Sequence, residues 1–158
     1  MGLTRRALLQ GTVATGLLST AFVAGMLRPT QVLAEASAGG PALDAKDLAT
    51  ALKSLGADAA AENSQLAIKA PEIAENGAVV PIEINSSIPN TVSLAVLATK
   101  NPMPLCAVFE FEPEAVPSLS LRLKVAETSA IKAVAKTKDG KVFAVDKEVK
   151  VTVGGCGG

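Results

Sequence analysis

Histidine, tryptophan and tyrosine are absent from this sequence of 158 residues, which holds only four phenylalanines and two cysteines. Without histidine the chain lacks the commonest general base, the usual transition-metal ligand and the haem axial partner. Ser-His-Asp and Cys-His catalysis are thereby excluded within it. The scarcity of rings, together with 15 basic against 15 acidic side chains, argues against nucleic acid as a partner, since that needs a basic stripe and surfaces on which bases stack. Sugar-stacking platforms fall to the same shortage. What the chain does have is apolar material: 49% of its residues are hydrophobic, ample for the core of one domain.

The first 34 residues differ from the rest. Thr4-Arg5-Arg6 precedes an uncharged apolar run from Ala7 to Leu27, and Arg28, Pro29 and small residues follow. A charged start, an apolar middle and a small-residue end make a secretory signal, and the paired arginines indicate the twin-arginine route to the periplasm. Cleavage is expected after Ala34, with Ala38 the second candidate. The alternative is a membrane anchor, but the run contains a glutamine and several threonines and glycines that weaken its transfer into lipid. No stable membrane insertion is expected after processing, and no cysteine lies at the cleavage sites to carry a lipid. Removal of residues 1–34 takes away Arg5, Arg6 and Arg28 and no acid, leaving 12 basic against 15 acidic groups. The remainder folds in an oxidising compartment where cysteines can pair.

An N-terminal segment, 35–62, contains the one convincing helical pattern. Leu48, Leu52 and Leu55 recur at helical spacing, Asp44 and Asp47 suit a helix start, and Gly56 suits its end, so a helix is predicted over Pro41 to Gly56. From 63 to 153 the period changes to two, most clearly at Leu119, Leu121, Leu123 and Val125 and at Val149, Val151 and Val153. Strands are predicted at Gln65–Ala70, Val79–Asn85, Val92–Thr99, Leu105–Glu112, Leu119–Val125, Ile131–Lys138, Lys141–Asp146 and Val149–Val153. Asn76-Gly77 and Asp139-Gly140 are the strongest turn signals, and the second predicts a two-residue hairpin that sets Lys138 opposite Lys141. Most prolines sit at strand boundaries, whereas Pro81 lies inside one and predicts an edge strand. Short strands at close spacing predict an all-β chain, an immunoglobulin-like β-sandwich with a short N-terminal helix.

After the last predicted strand the chain reads Gly154-Gly155-Cys156-Gly157-Gly158. Glycine loses the most conformational entropy on ordering, so residues 154–158 are expected to form a flexible C-terminal arm with an accessible thiol. No cation is fixed beside Cys156 in the sequence, so its reaction must be driven by a partner that supplies charge, metal or oxidant. This is the pattern of a carrier and not of a catalyst. A disulfide from Cys156 to Cys106 or to a second chain is the simpler reading, although a glycine-flanked position offers no fixed geometry for a structural bridge. Cys106 reads as a small half-buried apolar side chain on the face of Val108 and Glu110. Glu110, Glu112 and Glu114 read as a solvated face, and Asn76-Gly77 as a turn.

Three stretches carry a resemblance to the SoxY family of sulfur carriers in the periplasmic thiosulfate-oxidising (Sox) system. They are the run from Pro71 to Pro81, which includes Glu75-Asn76-Gly77, then Asn101-Pro102-Met103-Pro104-Leu105, and above all Val149 to Gly158. The similarity runs from about Leu43 to Gly158. It implies that Cys156 is the covalent attachment point for sulfur intermediates, held as S-thiosulfonate or persulfide adducts, and that the chain is no enzyme and needs no resident cofactor or metal. It further implies a heterodimer or higher hetero-oligomer with a SoxZ-type subunit that is exported with this chain. A SoxXA-like haem c enzyme would join thiosulfate to Cys156, a SoxB-like hydrolase would release sulfate, and a SoxCD-like sulfur dehydrogenase would oxidise the sulfur that remains. The competing reading is an exported structural or interaction module whose tail cysteine forms an intermolecular disulfide. A metal chaperone would have too few ligands in one thiol and Met103.

Overall fold

The computed structural model of the protein describes residues 40–152. The signal segment expected at 1–34 and the arm with Cys156 and its four glycines lie outside the described residues. Eight strands follow in chain order: β1 Leu66–Lys69, β2 Ile73–Ala74, β3 Val80–Ser86, β4 Thr91–Ala98, β5 Leu105–Glu110, β6 Ser118–Leu123, β7 Ser129–Thr137 and β8 Val142–Val151. They form a three-stranded sheet in the order β1-β3-β6 and a five-stranded sheet in the order β2-β8-β7-β4-β5. Period-two alternation turns Val80, Ile82 and Ile84 of β3 inward against Leu94 and Val96 of β4 and Ile131 and Ala133 of β7, all buried in one core. This is the immunoglobulin-like sandwich that the periodicity predicts.

The five-stranded sheet is covered on its outer face as well. A 3-10 turn, Gly40–Asp44, and helix α1, Leu48–Leu55, pack Leu43, Leu48, Leu52 and Leu55 against Ala95, Leu97, Val134 and Ala144. The single helix predicted from Pro41 to Gly56 is thus divided. Asp47 has extended backbone angles (φ −137°, ψ 154°), and its Oδ1 accepts the Thr50 N–H at 2.8 Å, which starts a new helix there. Gly56 ends it in the left-handed conformation, φ 69°.

Three other expectations are corrected. The two strands predicted at Lys141–Asp146 and Val149–Val153 are the one strand β8, because Lys147 and Glu148 stay in the ladder opposite Ile131 and Ala130 of β7. Pro81 lies in β3, which is the middle strand of its sheet. The β1 pairing reaches only to Lys69 opposite Glu83, so Pro81 is paired on one side, with Arg122 of β6, and no ladder donor is missed. At Asp139-Gly140 the connection has three residues. Thr137 N–H donates to Lys141 C=O, Gly140 N–H donates to Thr137 C=O, each at 2.9 Å, and Gly140 has φ 79°. A turn followed by a left-handed glycine puts Thr137 opposite Lys141 and removes the expected pairing of like charges.

A Cβ at Gly140 would meet no atom within 4 Å, so only the backbone resists substitution there. Gly140→Ala is expected to lower stability by about 1 kcal/mol, measured by urea denaturation, and Gly140→Asn by less.

Candidate functional site

One end of the sandwich gathers the C-terminus of β8, the β2–β3 turn, the β4–β5 loop and the β6–β7 loop. These segments contain the internal stretches that the sequence singled out, and hydrogen bonds join them. Asn101, at the head of Asn101-Pro102-Met103-Pro104-Leu105, donates from Nδ2 to Lys124 C=O at 2.7 Å and accepts the Ala126 N–H on Oδ1 at 2.9 Å. Its side chain therefore clips the β4–β5 loop to the β6–β7 loop. Val125 N–H, in turn, donates to Gly77 C=O at 2.7 Å, which ties that loop to the Asn76-Gly77 turn. Asn76 shapes the turn by accepting the Ala78 N–H at 2.8 Å.

The turn leads out of β2, which lies parallel to the end of β8 with Ile73 beside Lys150 and Ala74 beside Val151. Every amide of the last three described residues is bound. Lys150 N–H donates to Glu72 C=O at 2.9 Å and Thr152 N–H to Ala74 C=O at 3.1 Å. Between them Val151 N–H points the other way, to Thr128 Oγ1 at 2.9 Å. Thr152 also donates from its hydroxyl to Glu75 C=O at 3.0 Å. The chain is held on both edges of β8 up to Thr152, four residues before Cys156. The predicted site residues Gly154, Gly155, Cys156, Gly157 and Gly158 lie outside the described residues, but the strand that feeds them is fixed to its last rung of the ladder.

Thr128, Thr152 and the carbonyls of Ala74 and Glu75 escape a reading based on periodicity, since β2 has two residues and shows no alternation. The signal that marks Ala74, Glu75 and Thr152 is the resemblance itself, since Pro71 to Pro81 and Val149 to Gly158 match the family pattern, whereas Thr128 lies outside the matching stretches.

Cys106 is a free thiol at the start of β5, below the Asn101 loop. Val96 pairs with Ala107 and Leu97 with Leu105, so Cys106 is the extra residue of a β-bulge. The bulge reverses the side expected for it: Cys106 packs toward the sandwich core, and Leu105 and Val108 face the layer under α1. Burial pushes its thiol up from the ordinary value, against weaker lowering by backbone hydrogen bonding at Ala98 and by the Asn101 side chain. Glu110, Glu112 and Glu114 are exposed, as expected of a solvated face, and among the described residues no cluster of His, Cys, Asp or Glu could hold a metal ion.

A family model described as "Sulfur oxidation protein SoxY" matches residues 51–156, a stretch that takes in the whole of this end and Cys156. The chain belongs to the SoxY family. Membership assigns this SoxY chain a role in sulfur oxidation. Among solved structures, the sulfur carrier protein SoxY from Chlorobium limicola f thiosulfatophilum matches with 37% identity and a TM-score of 0.55, over 61% of this chain and 88% of that one. A superoxide reductase (neelaredoxin) from Ignicoccus hospitalis matches with 18% identity and a TM-score of 0.49, over 55% of this chain and 80% of that one. A putative superoxide reductase from Thermotoga maritima matches at 18% and 0.48, over 54% and 84%. Neither reductase bears on the function of a SoxY chain at such identity. No curated protein matches significantly.

In Cys156→Ser, alkylation of Cys106 by iodoacetamide is expected to be slow at pH 8 and to accelerate with a midpoint above that of a free thiol, about 8.5. The unfolded chain releases the Cys106 proton more readily than the folded one, so Cys106 makes folding less favourable as pH rises from the ordinary thiol value to the raised one. The Cys106→Ala variant should lose that part of the alkaline fall in stability, measured by denaturation at stepped pH.

Proposed function

We propose that this SoxY chain is a non-catalytic carrier that holds sulfur intermediates covalently on Cys156 and presents them to successive enzymes. The observation that carries the reading is the fastening of β8 through Thr152, with only Val153 between it and Gly-Gly-Cys-Gly-Gly and within the stretch matched by the family. A pinned base followed, after one valine, by glycines on both sides of the cysteine is the arrangement a tethered thiol needs. From Thr152, four extended residues span about 13–14 Å, enough to enter the active site of an enzyme seated against this end.

In the first step the Cys156 thiolate and thiosulfate form a sulfur–sulfur bond and give up two electrons, which pass to a SoxXA-like haem c enzyme. Water then attacks the sulfonate sulfur of the adduct in a SoxB-like hydrolase, and sulfate and two protons leave while a persulfide anion stays on Cys156. A SoxCD-like dehydrogenase oxidises that remaining sulfur. Tethering keeps the intermediate at high effective concentration for each enzyme, and thiol exchange can reverse the attachment. The carrier works in the periplasm after twin-arginine export, as a hetero-oligomer with a SoxZ-type subunit.

The test is the intact mass of the mature protein from cells grown with and without thiosulfate, before and after mild reduction, and again for Cys156→Ser. A reducible sulfur adduct that disappears in Cys156→Ser is expected. A bare chain, or a protein–protein disulfide present under both conditions, would overturn the carrier reading in favour of a structural thiol.

A further inference from the structure

The stretch Glu72–Glu75 buries little to justify its place. Ala74 is in the core, but Ile73 is 60% exposed, and a two-residue strand has no stability of its own. Its carbonyls, however, take up the amides of Lys150 and Thr152 and the hydroxyl of Thr152, at 2.9, 3.1 and 3.0 Å. The stretch is itself fixed by the turn that follows, through Asn76 Oδ1 to Ala78 N–H and Gly77 C=O to Val125 N–H. β7 starts at Ser129, opposite Val149, so beyond Val149 the β7 side offers β8 only the Thr128 hydroxyl.

We propose that Glu72–Glu75 is a splint that sets the pivot of the carrier arm, with Thr152 as its positioning residue. The proposal rests on the carrier reading and gives the Glu75-Asn76-Gly77 motif a mechanical role, for it presents the Ala74 and Glu75 carbonyls to Thr152 and locks them to the β6–β7 loop. With the splint engaged the tether to Cys156 begins at Thr152 and has four residues. With it released, and the lone Thr128 bond to Val151 lost with it, the tether begins near Val149 and has seven, and the effective concentration of the thiol in an enzyme docked at this end falls by up to about twofold. The splint thereby acts on the encounter with a macromolecular partner and leaves the chemistry of the thiol alone.

Thr152→Val keeps the shape and strand preference of the side chain but removes its hydrogen bond, and Thr152→Ser restores the bond. In Thr152→Val, amide hydrogen exchange at Lys150 and Thr152 is expected to rise about fivefold, the worth of one ordinary hydrogen bond, with exchange at Ile84 unchanged. KM for loading of Cys156 by the thiosulfate-joining haem c enzyme should rise at constant kcat, by less than the roughly twofold limit of a fully released splint. The rate with a small disulfide reagent should stay at the wild-type value, and Thr152→Ser should return each quantity toward wild type. Unchanged exchange at Lys150, a raised exchange without a raised KM, or a serine variant as impaired as the valine one would overturn the splint. A wild-type chain that takes up no sulfur adduct is a different result, which overturns the carrier reading and the splint's purpose with it.

Discussion

The structure depends on burial of the five-stranded sheet on both faces. Its middle strands β7 and β4 present Ile131, Ala133, Leu94 and Val96 to the sandwich core and Val134, Ala95 and Leu97 to the layer under α1. Chains of this composition have little aromatic bulk with which to fill a core, so burial is achieved with many small and β-branched side chains in two thin layers. Alanines at 95, 133, 135 and 144 let the layers approach, and the leucines of α1 pack with Leu97 and Leu105 of the sheet. A sheet held from both sides has rigid ends, and a rigid end is what the bonded loops around Thr152 require.

At that end polar groups add to the burial of Ala74, Val125 and Val149 in maintaining order. Asn101, Thr128, Thr152 and the Asn76-Gly77 turn each commit a side chain or a carbonyl to another segment, so four chain segments far apart in sequence move as one. Bonds of this kind are worth about 1 kcal/mol each, too little to make a fold but sufficient to fix a strand terminus. The free thiol inside the domain, Cys106, is kept under the same loops and held toward its neutral form by burial. In the carrier reading the fold thus leaves sulfur chemistry to the tail.

The fold class was legible in the sequence because β3, β6 and the end of β8 alternate cleanly, and the helix because three leucines share one face. The division of the predicted helix at Asp47 was carried by a single capping side chain, which periodicity does not weigh. Pro81 was misread because a strand was treated as central or edge over its whole length, whereas β1 is too short to reach it. The bulge at Cys106 reversed an assignment of faces that rested on unbroken alternation. At the candidate site, Gly154-Gly155-Cys156-Gly157-Gly158 stood out in the sequence, while the residues that fasten its base showed only as members of the resembling stretches, or, for Thr128, not at all: their hydrogen bonds run between single polar side chains and backbone groups, which leave no periodic pattern.

The bulge has a consequence beyond the position of one cysteine. Sheets rich in valine, isoleucine and alanine tend to join others along a long straight edge, because an unpaired ladder is a template for any passing strand. Among the described residues the bulge at Cys106 interrupts the margin of the five-stranded sheet at β5, while at the opposite margin β2 covers only Lys150 and Val151 of β8. The bulge thus breaks the straight run of one edge at which a passing strand could add.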